Sequence, residues 1–196
     1  MLKTPAWRLL NSSYLQYDRA YRRWHKLEAV DEFLLVKKQR YHGAPQVFRD
    51  GTELQSGDTV LALHFNNEYM ATLYQNHENA SSRRVVWSFG KALIAAMQQL
   101  HEDLATKYAT DNIKAITGVT WFKTHGDIVG FESEPLPAGW RRDLLHWQFR
   151  LLLLALFPQL KAHRNSELMP HQFWLTPSQL SETVKGERSH VAKRFT

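Results

Sequence analysis

The stretch from Arg49 to Asn67 constrains this chain more than any other, because two backbone reversals and one long strand signal are packed into it. Asp50-Gly51 and Ser56-Gly57-Asp58 are turn signals, since glycine reaches backbone angles closed to residues that carry a Cβ. Gln46-Val47-Phe48 and Glu53-Leu54 are set to pair through the first turn. The second turn releases the chain into Thr59 to Phe65, a β-rich run. Side chains alternate across a strand, so Leu61, Leu63 and Phe65 share one face while Val60, Ala62, His64 and Asn66 share the other. The first face reads as core. The second begins apolar and turns polar, as expected for a strand that emerges from beneath a helix into a cleft.

Around this strand the periodicity predicts an α+β fold in a single domain. Its small mixed or antiparallel sheet is packed by one long helix (about residues 82–108) and one very apolar helix (about 140–157). Residues 7–26 form an N-terminal basic aromatic helix, in which Trp7, Leu10, Tyr14, Tyr17, Tyr21 and Trp24 recur at threes and fours among Arg8, Arg19, Arg22, Arg23 and Lys26. The stripe is expected to pack onto the sheet with the arginines solvated. A helix of this kind also suits peripheral contact with a membrane. Phe33 to Val36 gives a first strand, and Asn67 to Ser82 reads as a polar loop with a short ordered segment at Tyr69 to Tyr74.

The long helix is marked by Val86, Phe89, Leu93, Met97, Leu100 and Leu104. Ile113 to Phe122 and Ile128 to Glu132 then read as two strands, joined either as a hairpin or through a turn of helix. In the apolar helix, Leu144, Leu145, Trp147, Phe149, Leu151, Leu152, Leu154 and Leu156 cover most of the circumference. Such a helix lies in the middle of the domain or pairs with a second copy as a homodimer. Phe173 to Leu175 reads as an edge strand, and Thr176-Pro177 opens a last helix reaching about Val184. The expected organisation is an N-terminal helix over 1–28, an α+β domain over 29–184 and a basic, frayed tail over 185–196.

Bulk properties narrow the function classes. A hydrophobic fraction of 43% with seven tryptophans excludes a disordered chain. There is no cysteine, which removes disulfides, thiolate metal ligands and a thiol nucleophile. The longest apolar run, Leu151 to Pro158, is far short of the roughly 20 residues of a membrane span, and the first residues lack a secretory pattern, so a cytoplasmic location is expected. The net charge of +6 is a mild preference for anionic partners. Specific nucleic-acid binding is not expected, because the aromatics fit core positions.

The pattern Asp50-Gly51, Gly57-Asp58, Leu63-His64-Phe65-Asn66-Asn67, a long helix, Gly118-Val119-Thr120 and Gly130-Phe131 resembles the bacterial YkoP-like domain over roughly residues 30–180. Some members carry the domain attached to a polysaccharide deacetylase domain, so the resemblance implies an accessory or ligand-binding role linked to envelope polysaccharide metabolism, and it carries over no catalytic residues. The deacetylase itself is not what the chain resembles. Those enzymes hold a metal with an Asp-Asp pair and two histidines four residues apart, whereas none of the ten histidines here has another four positions away. Neither a metal site nor a bound cofactor is expected. Gly118-Val119-Thr120 and Gly130-Phe131 are also similar to the late strands of the amino-group acetyltransferase fold. That likeness implies, as an alternative, an enzyme with an acyl-coenzyme A donor in a groove beside the long helix, although the family's pyrophosphate loop is missing.

The candidate ligand-binding residues are His64, Asn66 and Asn67 at the strand end, with Thr120; Arg83 and Arg84 at the long helix's start are candidates for holding an anion. The competing reading makes His64 a half-buried histidine and the asparagines partners of loop amides. Asp127 and Glu132 offer a carboxylate pair whose separation the sequence does not fix.

Overall fold

The computed structural model describes residues 5–76, 82–121, 131–156 and 168–194. The elements run α1 (Pro5–Trp24), β1 (Glu28–Ala29), β2 (Leu34–Arg40), β3 (Gln46–Val47), β4 (Glu53–Leu54), β5 (Thr59–Phe65), α2 (Asn67–Asn76), α3 (Ser82–Ala105), β6 (Ile113–Thr120), β7 (Glu132–Pro135), α4 (Trp140–Leu156), β8 (His171–Leu175) and α5 (Pro177–Arg194). Six strands form one mixed sheet in the order β1-β2-β5-β6-β8-β7, and β3-β4 is a separate hairpin. The α+β class and the mixed sheet expected from the sequence are what the chain adopts.

Both glycine turns act as read. Gly51 and Gly57 hold φ of 82° and 98°, in the left-handed region that a Cβ disfavours. Gly51 N donates to Phe48 O at 2.9 Å to close the hairpin, and Gly57 N donates to Tyr41 O at 2.8 Å. The chain thus enters β5 at a fixed register, antiparallel to β2 and parallel to β6.

The two sheet faces have different covers. Leu34, Val36, Leu61, Ile116, Phe173 and Leu175 point to one side, where Met97 and Leu100 of α3 and Leu180 and Val184 of α5 close the main core. Each such side chain stabilises the fold by about 1.5–3 kcal/mol on burial, which makes this face the anchor of the domain. On the other side Val60, Ala115 and Trp174 lie under Phe48 and Leu54 of the hairpin region. That hairpin covers only part of the face. The remainder lies beneath α1 and α4.

Several expectations are corrected. Asn67 to Asn76 is helix, not loop: Asn66 Oδ1 accepts the amides of Glu68 and Tyr69 at 3.1 and 3.5 Å and caps α2, whose Ala71 is buried. β6 and β7 are not hairpin neighbours, because β8 lies between them, and most of the strand expected over Ile128–Glu132 lies outside the described residues. The connection itself lies outside the described residues. Phe173-Trp174-Leu175 is therefore an interior strand, with β7 at the edge. α5 continues past Val184 to Arg194.

The two apolar helices also differ from expectation. The buried residue of α1 is an acid, Asp18, while Leu10, Tyr17 and Trp24 of its stripe are exposed. In α4 only Ala155 and Leu156 are buried, and Trp140, Leu144, Trp147, Leu151 and Leu154 are exposed. The cause is shared. These helices pack on each other and on α2 through a small cluster of Tyr14, Leu15, Ala71, Ala155 and Leu156, and over the rest of their inner sides they stand above a cavity.

Thr176 ties the hairpin to α5. Its hydroxyl accepts from Gln179 N at 3.1 Å, Gln179 Oε1 accepts from Thr176 N at 2.9 Å, and the same hydroxyl donates to Asp50 Oδ2 in the hairpin turn. This is a reciprocal cap with a third partner, and Thr176 is fully buried. Thr176→Ala is expected to lower the unfolding free energy by about 1–3 kcal/mol, read from urea denaturation. An unchanged midpoint would show that the cap is idle.

Candidate functional site

Pairing between β5 and β6 ends before the strands do. The register couples Ala62 to Thr117 and stops, although β5 continues to Phe65 and β6 to Thr120. Beyond that point Leu63 to Phe65 remain paired with β2, and Gly118 to Thr120 with β8. The strands still touch at Leu63 and Gly118, where a Cβ on the glycine would stand 3.5 Å from the leucine Cβ, and the sheet divides beyond them at the carboxyl ends of its parallel pair. Ligands in open α/β sheets bind in a crevice at that position, outside the strand ends where neighbours diverge.

A cavity of about 640 Å3 occupies the division. It draws on both faces of the sheet, as a gap passing through it would: Lys37, Ala62, His64, Thr117, Val119 and Gln172 from one, Leu63, Phe65, Gly118, Thr120 and Phe173 from the other. Tyr14, Tyr17 and Tyr21 of α1 form one wall, and Leu145, Gln148, Phe149 and Leu152 of α4 form another. Trp121 packs on Phe149 with ring centroids 4.9 Å apart. Phe89 and Leu93 of α3 reach the cavity from the core side.

The polar groups sort by charge. Lys37 Nζ lies 3.2 Å from His25 Nδ1, and an ammonium can only donate in such a contact. Tyr21 lies against both histidines, its centroid 4.2 Å from His25 and 5.9 Å from His64. Burial, reinforced by His25 and Lys37, pushes the His64 imidazole down to about 4, so at neutral pH it carries no charge. Gln172 Nε2 donates to Thr117 Oγ1, whose own hydroxyl donates to Phe173 O at 3.0 Å. Arg22, Lys37 and Arg141 are the permanent cations of the lining, and Asp18 is its one acid.

Asp18 belongs to a network that holds α1 in place. It accepts from Asn67 Nδ2 at 2.6 Å and lies 2.9 Å from Arg22 Nε, while Arg22 also reaches Glu68 at 2.7 Å and Asn66 Oδ1 at 3.0 Å. Burial raises the Asp18 carboxyl above its ordinary range despite these partners, whereas the Glu68 carboxyl is lowered against its own burial by Arg19 and Arg22. A buried charge group of this kind fixes geometry more surely than it adds stability.

The sequence candidates therefore have different places. His64, Asn67 and Thr120 line the cavity. Asn66 does not: it caps α2, receives Arg22, and donates to Glu32 O at 2.8 Å, so its side chain is fully engaged in structure. Arg84 is exposed on α3 away from the cavity lining, and the Arg83 side chain lies outside the described residues. Glu132 holds Arg49 N and Gln179 Nε2 at 2.8 and 2.7 Å, a structural use, and Asp127 lies outside the described residues. Lys37, His25, Tyr21, Thr117, Gln172 and Arg141 were not singled out from sequence. Lys37 and Thr117 stand on the same face as Ala62, a relation that needs the register and not the strand alone.

Fold and site together define an α+β domain with a ligand-sized cleft where a parallel strand pair opens. The YkoP domain matches residues 7–184, and the chain belongs to that family. No curated protein and no solved structure matches it.

The His64 shift has a sign that can be measured. The folded imidazole resists protonation down to about pH 4, whereas the unfolded one takes a proton near 6.5, so the unfolded state binds more protons between those values. Stability attributable to His64 is complete above pH 6.5 and declines as pH falls towards 4, by up to about 3 kcal/mol. Urea unfolding of wild type and His64→Gln from pH 7.5 to 4, each to within about half a unit, is expected to converge at low pH as the wild type loses this term. Parallel curves would show that His64 titrates normally.

Proposed function

We propose that this chain is a ligand-binding domain whose cleft takes a small polar or anionic molecule with an apolar or ring-shaped body. The observation that carries the proposal is the opening of β5 from β6 around a cavity with a cationic, hydrogen-bonding floor and aromatic walls. Lys37 supplies charge for an anionic group, Thr117 and Gln172 stand beside it on the same face, and Thr120 lines the cavity from the other face. Tyr14, Tyr17, Tyr21, Trp121 and Phe149 offer ring faces of the kind on which sugars and other flat bodies stack. Such a lining fits an accessory role in envelope polysaccharide metabolism, exercised from the cytoplasmic side on a soluble glycan precursor.

One observation favours a second reading, acyl transfer from a coenzyme A thioester. The opened strand pair presents inner backbone edges beside α3, and amide-containing chains pair readily with such edges. A neutral His64 would there take the proton of an attacking amine or hydroxyl.

A thermal-shift panel of sugars, sugar phosphates, nucleotides, coenzyme A and acetyl-coenzyme A separates these readings. A ligand at about a hundred times its Kd adds roughly 2.7 kcal/mol, enough to move the melting temperature by several degrees. The binding reading expects a shift with a sugar or sugar phosphate that Lys37→Met reduces. A shift confined to the coenzyme A compounds would transfer the conclusion to acyl transfer, and a flat response across the panel would contradict both.

A further inference from the structure

We infer that the outer side of α1 and α4 is a docking surface for an anionic lipid bilayer. On α4, Trp147, Leu151 and Leu154 follow one another at steps of four and three along one side of the helix, and Trp140 and Leu144 continue that row to the rim of the cavity, which they also line. All are exposed, Trp140 at 79%, Trp147 at 62% and Leu154 at 56%. On α1, Leu9, Leu10 and Trp24 are exposed, and Tyr17 between them stands at the cavity rim, exposed and lining the cavity at once. Asn11 Nδ2 donates to Ala155 O at 2.9 Å, and Gln148 Nε2 lies 3.5 Å from the Tyr17 hydroxyl. These contacts set the two helices side by side in opposite directions, so the bare rows adjoin.

Charge decides the occupant. α1 carries Arg8, Arg19, Arg22 and Arg23 against Asp18, and α4 carries Arg141, Arg142 and Arg150 against Asp143. Arg19 and Arg22 pair with Glu68 and Arg142 with Asp143, so the cations that this face offers to a partner are the exposed Arg8, Arg23 and Arg150. A second copy placed on this face would set one cationic pair of helices against another. An anionic bilayer meets both properties at once: leucines and tryptophans enter the interfacial zone while exposed arginines such as Arg23 and Arg150 meet lipid phosphates. Nucleic acid would answer the charge and the exposed rings but leave the row of leucines uncovered. Among the described residues no helix is long and apolar enough to cross a membrane, so the attachment is peripheral. The membrane contact expected of the N-terminal helix from its sequence is thereby extended to α4.

The test is co-sedimentation of the full chain with vesicles of phosphatidylcholine and with an equal mixture of phosphatidylcholine and phosphatidylglycerol. Binding is expected to the mixed vesicles only, and to weaken strongly between about 0.1 and 1 M salt as the screening length contracts. Arg150→Gln and Arg23→Gln should each lower the partition coefficient roughly fivefold. Leu151→Gln with Leu154→Gln should abolish binding with only a small fall in melting temperature, since Leu154 is 56% and Leu151 38% exposed, and His64→Gln should bind as wild type. Absence of binding to anionic vesicles would overturn the inference. So would a dimer in sedimentation velocity that the two leucine substitutions dissolve, or oligonucleotide binding that survives them.

Discussion

The early end of pairing between β5 and β6 is the constraint from which the rest of the site follows. A backbone amide or carbonyl left without a partner away from water carries a penalty comparable to a lost hydrogen bond, so two strands that could pair and do not must border water or a ligand. The cavity occupies that position, and residues from both faces of the sheet contribute to it. His64 is deep enough in it to be held neutral, yet still lines the space. One geometric fact thus fixes the location, the polarity and the protonation state of the candidate site.

The walls depend on a second, electrostatic device. α1 packs through Tyr14 and Leu15 on the small cluster it shares with α2 and α4, and its position is fixed further along by Asp18, Arg22, Asn67, Glu68 and the α2 cap Asn66. Through this network the tyrosines of α1 are registered against the strand end that carries His64. Asn66 therefore serves the site at one remove: it positions α2 and accepts Arg22, and Arg22 positions α1. The same arrangement keeps the cavity side of α1 and α4 unfilled, which leaves their outer sides unusually apolar for a surface.

Much of this fold was legible because its signals are local. Gly51 and Gly57 fix turns by backbone angle, Thr176 and Gln179 cap α5 within four residues, and α3 shows its period over several turns. The placement of His64 on the polar face of β5 followed from alternation alone. What the sequence concealed is relational. The insertion of β8 between β6 and β7 depends on long-range pairing, and α2 depends on a cap whose strength comes partly from Arg22 across the fold. Lys37, Thr117 and Gln172 become neighbours only through register. The apolar circumference of α4 was misread for a physical reason: periodicity reports which side chains are apolar, and a helix over a cavity wears the same pattern as a helix in a core.

The central claim is that the sheet is open where β5 and β6 end, and amide hydrogen exchange measures it most directly. The account predicts slow exchange through Val60 to Ala62 and Ala115 to Thr117. It also predicts that, within His64 to Phe65 and Val119 to Thr120, the amides turned away from β2 and β8 exchange markedly faster. Uniform protection along the full length of both strands would mean a closed ladder, and the cleft with all its consequences would be wrong.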